Sequence, residues 1–307
     1  MMTLPSASKS SHCDQLESPD VGNFAVSVFI LIGILISYLP QHYRIISRRS
    51  SLGLSPMFVL LGTVSGTAAI ANILTLPASR ADMACCTEIS RFACAAAMLG
   101  VAQVGVQWTC FFFIMLLFLI FFPRRPSRPS TPTPTTPTSP SSSPDHESIP
   151  TWAEAILVLL FSLAFFLFAF LTSLVFIYAA PAHLQGWANF LGILGTILAS
   201  IQYIPQIWTT WRLQEVLSLS IPMMCIQTPG SFVWAASLAA RLGREGWSAW
   251  GLYIVTGCLQ GVLLGMGISF VVRDWRRKKG AEGAASGEAN GHGNGASERS
   301  PLLQASG

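Results

Sequence analysis

The chain has 307 residues, of which 51% are hydrophobic and only 10% charged, and its mean hydropathy is +0.53. A water-soluble domain carries about 25% charged residues, so this composition excludes an ordinary soluble protein. The net charge of +4 is modest and its basic residues sit in loops and at the ends of apolar runs, which excludes a nucleic-acid-binding face.

The first 20 residues form an acidic tail (Asp14, Glu17, Asp20) with no cleavage site, so no signal peptide is expected and the tail is read as disordered. Seven runs then reach the roughly 20 apolar residues that a bilayer crossing needs. They are Val21 to Leu39, Leu52 to Leu76, Ala95 to Phe122, Trp152 to Tyr178, Trp187 to Ile204, Leu219 to Ala240 and Trp247 to Val272. Their one carboxylate, Glu154, stands at a helix start, and Trp152, Trp187, Trp208, Trp211, Trp247 and Trp250 lie near run ends, where indole prefers the headgroup layer. Between the third and fourth runs, residues 123–150 are a Pro, Ser and Thr sequence unable to bury a core. The Gly and Ala-rich tail, 274–307, reads the same way.

Basic residues set the orientation. With the N-terminus lumenal, the cytosolic side holds twelve: Arg44, Arg48, Arg49, Arg124, Arg125, Arg128, Arg212, Arg273, Arg276, Arg277, Lys278 and Lys279. The other side holds five: Lys9, Arg80, Arg91, Arg241 and Arg244. The C-terminus is therefore expected in the cytosol.

The body repeats itself. Tyr38, Pro40, Gln41, Leu52, Leu54 and Ser55 match Tyr203, Pro205, Gln206, Leu217, Leu219 and Ser220 at a constant offset of 165 (203 − 38). One inserted residue then brings Pro56 onto Pro222, and Asn23-Phe24 precedes the first Pro-Gln much as Asn189-Phe190 precedes the second. Two three-helix units enter the membrane in the same sense only if an odd number of crossings joins them, which explains the fourth helix. The expected fold is an all-α membrane protein of seven transmembrane helices: two parallel three-helix bundles joined by a linker helix (3+1+3). Its parts are a first repeat at 21–122, the cytosolic linker 123–150, the linker helix 151–180, a second repeat at 186–273 and the cytosolic tail.

Two Pro-Gln pairs, each at the cytosolic end of a repeat's first helix and each followed by Leu-x-Leu-Ser, resemble the PQ-loop repeat family. That family includes cystinosin, lysosomal and vacuolar cationic amino-acid exporters and the structurally similar sugar facilitators called SWEETs, and the likeness here is to a fungal-type member. The resemblance implies alternating-access transport of a small neutral or zwitterionic solute, an amino acid or a sugar, with Pro40, Gln41, Pro205 and Gln206 as hinges. A receptor or trafficking factor on the same scaffold is the alternative, and the repeat counts against a G-protein-coupled receptor. Amino-acid-exporting relatives carry an Asp in the second helix, whereas GTVSGTAAIAN here has no carboxylate. That absence favours passive or differently coupled transport.

An in-helix proline removes a backbone hydrogen bond and kinks the helix, which is the physical basis for a hinge. Amides at membrane depth both donate and accept, so Asn72, Gln103, Gln107, Asn189, Gln202 and Gln227 are the candidate solute ligands, against the plainer reading as interhelical ties. Gly257, Gly261 and Gly265, with Gly62 and Gly66, form small-residue rows suited to close helix packing and to a homodimer. Pro229-Gly230 reads as a break in the sixth helix. Cys13, Cys85, Cys86 and Cys94 face the non-cytosolic side, where a disulfide is compatible, with free thiols the default. No metal, cofactor or catalytic constellation is expected, and the protein is not read as an enzyme. Glu298, Leu302 and Leu303 fit an acidic dileucine signal read by clathrin adaptors. Such a signal points to the vacuolar or lysosomal membrane, with the plasma membrane as alternative.

Overall fold

The computed structural model describes residues 6–51, 54–122, 152–213 and 221–291. The linker at 123–150 and the sorting residues Glu298, Leu302 and Leu303 lie outside them. Nine α-helices occupy the described residues: α1 (Ser6–Glu17), α2 (Val21–Arg48), α3 (Pro56–Thr75), α4 (Pro77–Cys85), α5 (Arg91–Ile120), α6 (Trp152–Tyr178), α7 (Leu184–Leu213), α8 (Ile221–Leu242) and α9 (Trp247–Gly291). Helix starts follow local chemistry. Asp20 accepts from the Gly22 amide ahead of α2, Ser90 accepts from Ala93 ahead of α5, and Pro56 and Pro77 open α3 and α4.

Six helices are long and apolar enough to cross a membrane: α2, α3, α5, α6, α7 with the short 3-10 turn before it, and α9. This is one fewer than the sequence reading. The helix α8 is long enough at 22 residues, but the run Gln227-Thr228-Pro229-Gly230-Ser231 dilutes its apolar character.

The packing order is the same in both halves. In the first, α5 lies against both α2 and α3; in the second, α9 lies against both α7 and α8. Between the halves, α3 packs on α7 and α2 on α8. The contacts therefore exchange reciprocally, first helix of one repeat against second of the other. Helix α6 packs mainly on α3 through the slim stripe Ala155, Val158, Ser162, Ala169 and Ser173, while its Leu and Phe residues face outward.

Several expectations are corrected. The helices carrying Pro40 and Pro205 do not end there but continue to Arg48 and Leu213, so both prolines are interior. The pair Pro229-Gly230 also lies within a continuous helix. Residues 6–17 are helical rather than a disordered tail, and α9 runs on to Gly291. The cysteines form two disulfides, Cys13–Cys85 and Cys86–Cys94, which pin α1 to α4 and close the turn into α5.

The glycine rows are used inside the chain. A Cβ on Gly62 would overlap the Phe111 ring of α5, and one on Gly257 would overlap Ser231 and meet Phe232 of α8. At Gly62 and Gly257 they bring helices of one repeat together. Gly192 is the least forgiving case, because its Cβ would strike the backbone carbonyl of Ser248 on α9. Backbone cannot rotate away, so Gly192→Ala is expected to destabilise by about 1–3 kcal/mol. Gly265→Ala, with nothing within 4 Å, is expected to be neutral. Thermal unfolding of the two purified variants checks this, and equal melting temperatures would contradict the close α7–α9 approach.

Candidate functional site

The seam between the repeats holds most of the buried polar chemistry, and its two sides differ. On one side α3 and α7 run antiparallel in close contact. Asn72 Nδ2 donates to the Ala188 carbonyl at 2.6 Å and to Ser248 Oγ of α9 at 3.0 Å. One to two turns further along, Ser65 Oγ donates to the Gly195 carbonyl at 2.9 Å. Asn72 and Ser65 are both buried. Gly195 permits the approach, since a Cβ there would meet the Ser65 carbonyl at 3.4 Å.

On the other side α2 is tied near its N-terminal end to the C-terminal end of α8. Ser237 Oγ donates to Asn23 Oδ1 at 3.2 Å and lies 3.2 Å from Ser27 Oγ. The Arg241 guanidinium donates to Ser27 Oγ at 2.7 Å and to the Ala96 carbonyl of α5 at 2.5 Å. Each side of the seam thus carries a polar tie from a second helix to the other repeat's first helix. Helices α2 and α8 share fewer contacts than α3 and α7, and a Cβ on Gly33 or on Gly230 would meet nothing within 4 Å.

Further along, each repeat sets a tyrosine against a glutamine. Tyr38 and Tyr203 each stand two residues before a Pro-Gln pair. Tyr38 faces Gln107 of α5, and Gln260 Nε2 of α9 donates to the Tyr203 hydroxyl at 2.7 Å. Tyr253 of α9 crosses the seam and donates to Gln107 Oε1 at 3.1 Å, with Trp234 of α8 stacked on its ring at 4.0 Å. Two side chains of this cluster keep a buried polar atom without a hydrogen-bond partner, Trp234 Nε1 and Gln260 Oε1. A buried orphan of this kind costs about 1–3 kcal/mol.

The residues match the PQ loop repeat over 22–81 and 187–244. Those two blocks hold α2 to α4 and α7 to α8, the helices that form both sides of the seam. An uncharacterised protein of Schizosaccharomyces pombe is 34% identical over 263 residues, covering 85% of this chain and 84% of its own. The chain belongs to the PQ-loop repeat family.

Within this PQ-loop scaffold the predicted residues separate into groups. Pro40 and Pro205 are exposed inside α2 and α7, with Gln41 and Gln206 half-buried beside them. Asn72 and Gln103 are fully buried ties, the latter donating to the Ser27 carbonyl at 2.8 Å. Gln107 belongs to the tyrosine cluster. Asn189 lies near the start of α7, accepting from Gln185 at 3.1 Å, away from that cluster. Gln202 and Gln227 are half-buried on α7 and α8.

Sequence reading missed Arg241, counted there only as a loop charge, and its neighbours Asn23, Ser27 and Ser237. It also missed Asp82, which accepts from His12 at 2.9 Å. Burial pushes the Asp82 carboxyl above its ordinary value, and the His12 hydrogen bond and the Arg241 charge draw it partway back. Asp82, Ser79 and Arg241 line a cavity of about 10 Å³, the size of one water. The signal for Arg241 was its position one residue from a helix end, too close to the apolar run to be solvated freely.

Arg241 ties the Asn23–Ser27 end of the α2–α8 side, so its loss should loosen that end. In a background with Cys110, Cys225 and Cys258 replaced by Ser, Ser27→Cys is expected to react slowly with a membrane-impermeant thiol reagent. Adding Arg241→Ala removes charged hydrogen bonds worth about 1.5–3 kcal/mol each and is expected to speed labelling at least about tenfold. An unchanged rate would show that Arg241 does not tie this end.

Proposed function

We propose that the protein carries a small neutral or zwitterionic solute, an amino acid or a sugar, across a vacuolar or lysosomal membrane by alternating access. In this reading α8 is the seventh span, which completes the 3+1+3 arrangement, and the N-terminus is lumenal with the C-terminus cytosolic. The observation that carries the proposal is the asymmetric seam: α3–α7 is tied along its length, α2–α8 only at its Asn23–Ser27 end. A pair of rigid bundles joined that way rocks about the tied side and opens at the other.

The chemistry of the solute follows from what faces the seam. Amides, hydroxyls and an indole N–H supply both donors and acceptors, and Gln107, Gln202, Gln227, Gln260 and Trp234 are the side chains assigned to solute contact. Asn72 and Gln103, already bonded to neighbouring helices, act as ties. Interior Pro40 and Pro205 supply flexible points on the first helix of each repeat, beside Tyr38 and Tyr203. Two disulfides support the orientation, since disulfides persist where the surroundings are oxidising rather than in the cytosol. The acidic dileucine of the tail supports delivery to the vacuole or lysosome through a clathrin adaptor.

The test is uptake by proteoliposomes containing the purified protein, screened with labelled amino acids and sugars. At least one solute is expected to enter faster than in protein-free vesicles. Pro40→Leu and Pro205→Leu, which restore a helical hydrogen bond without exposing a polar group, are each expected to slow uptake per inserted molecule about tenfold with insertion unchanged. Normal rates in both variants would sink the hinge. Failure of every solute would contradict transport and favour the receptor or trafficking alternative.

A further inference from the structure

The helix α9 does not stop at the membrane. Trp247 to Val272 is 26 residues, about 39 Å of helix, which already exceeds the roughly 30 Å hydrocarbon core. The next seven residues, Arg273-Asp274-Trp275-Arg276-Arg277-Lys278-Lys279, therefore emerge at headgroup level. They carry five basic side chains against one acid, a local charge of +4 (5 − 1). The helix continues unbroken to Gly291, so the charges are held in fixed register and not on a loose tail.

Helical spacing sorts them. Asp274 pairs with Lys278 at 3.7 Å, and Lys279 lies over the Trp275 ring at 4.6 Å. The other three, Arg273, Arg276 and Arg277, lie on one exposed stripe of α9, one turn apart, bordering an open groove together with Ser269 and Val272. Arg273 also stacks over Phe270 at 5.2 Å, which orients it along the helix edge. Trp275 is 58% exposed, as an interfacial anchor would be. A general excess of positive charge would orient the chain without gathering three arginines on one stripe. Guanidinium binds phosphate oxygens in bidentate fashion, and three of them on one helical stripe can meet one phosphorylated headgroup together.

We infer that Arg273, Arg276 and Arg277 form a binding site for the headgroup of a phosphorylated inositol lipid in the adjoining leaflet. The acyl chains would lie along the exposed apolar face of α9 at Ile268, Val271 and Val272, and the phosphates would meet the three guanidiniums. The site is remote from the seam between the repeats and does not depend on which solute is carried.

Thermal unfolding of the full-length protein in zwitterionic detergent tests the site, titrated with dioctanoyl phosphatidylinositol 4-phosphate. A saturable rise in melting temperature is expected, absent with dioctanoyl phosphatidylcholine and reduced by raising the salt. Replacing Arg273, Arg276 and Arg277 together by Gln should weaken the apparent affinity at least about tenfold, and Lys at all three, which keeps the charge but not the bidentate fork, should restore only part of it. Gln at Arg44, Arg48 and Arg49 should leave it unchanged. The assignment is overturned if the three-Gln variant responds like the native protein. It is equally overturned if soluble inositol 1,4-bisphosphate stabilises as well as the lipid, which would make the ligand a free phosphate.

Discussion

A polar group buried in lipid must find its partner within the protein, and here the partners lie across the seam between two repeats. Asn72, Ser65, Ser237 and Arg241 each hydrogen-bond to the opposite repeat. Those bonds, more than the apolar packing around them, define how the two bundles sit. Apolar side chains gain little by preferring one another to lipid tails, whereas an amide loses several kcal/mol if left alone there. Arrangement of these few bonds therefore decides which side of the seam is free to move.

The repeats are related in sequence, yet the seam they form is unequal. One side places a fully buried Asn with two acceptors, and the other places a serine shared between Asn23 and Ser27. Arg241 reinforces the second side at the end where α1 is also pinned to α4 by a disulfide and by the His12–Asp82 contact. Trp234 and Gln260, each with an unpartnered polar atom, belong to the tyrosine cluster. The kinkable helices α2 and α7 carry Tyr38 and Tyr203 two residues before their prolines, so bending at the prolines would move that cluster directly.

Much of this was legible in the sequence. Hydrophobic run length fixed six helices, and the matching Pro-Gln and Leu-x-Leu-Ser landmarks revealed the repeat and the family. Tyr38 and Tyr203 stood among the repeat identities, although only the structure pairs each with a glutamine of the third helix. What could not be read was any property that depends on which helix faces which. Asn72 and Gln107 looked alike as membrane amides, but one is saturated by α7 and α9 and the other serves the tyrosine cluster. Glycine rows in α3 and α9 read equally as dimer faces or internal contacts, and only the structure sets Phe111, Ser231 and Phe232 against Gly62 and Gly257. Helix ends were misplaced because the apolar runs stop at Leu39 and Ile204, while the polar turns after Pro40 and Pro205 hold as helix. The cysteine pairs were invisible for the same reason: proximity of Cys13 to Cys85 requires α1 to fold back onto α4.

The central claim is that α3–α7 is a fixed edge and α2–α8 a moving one. Pulsed electron paramagnetic resonance in lipid nanodiscs measures it, with spin labels at Val26 and Ala240 for one edge and at Leu74 and Phe190 for the other. The account predicts a single narrow distance for the Leu74–Phe190 pair. For the Val26–Ala240 pair it predicts a broad distribution with a longer second population, which grows when Arg241 is replaced by Ala. Equal narrow distributions at both edges, or a broad one confined to Leu74–Phe190, would contradict it.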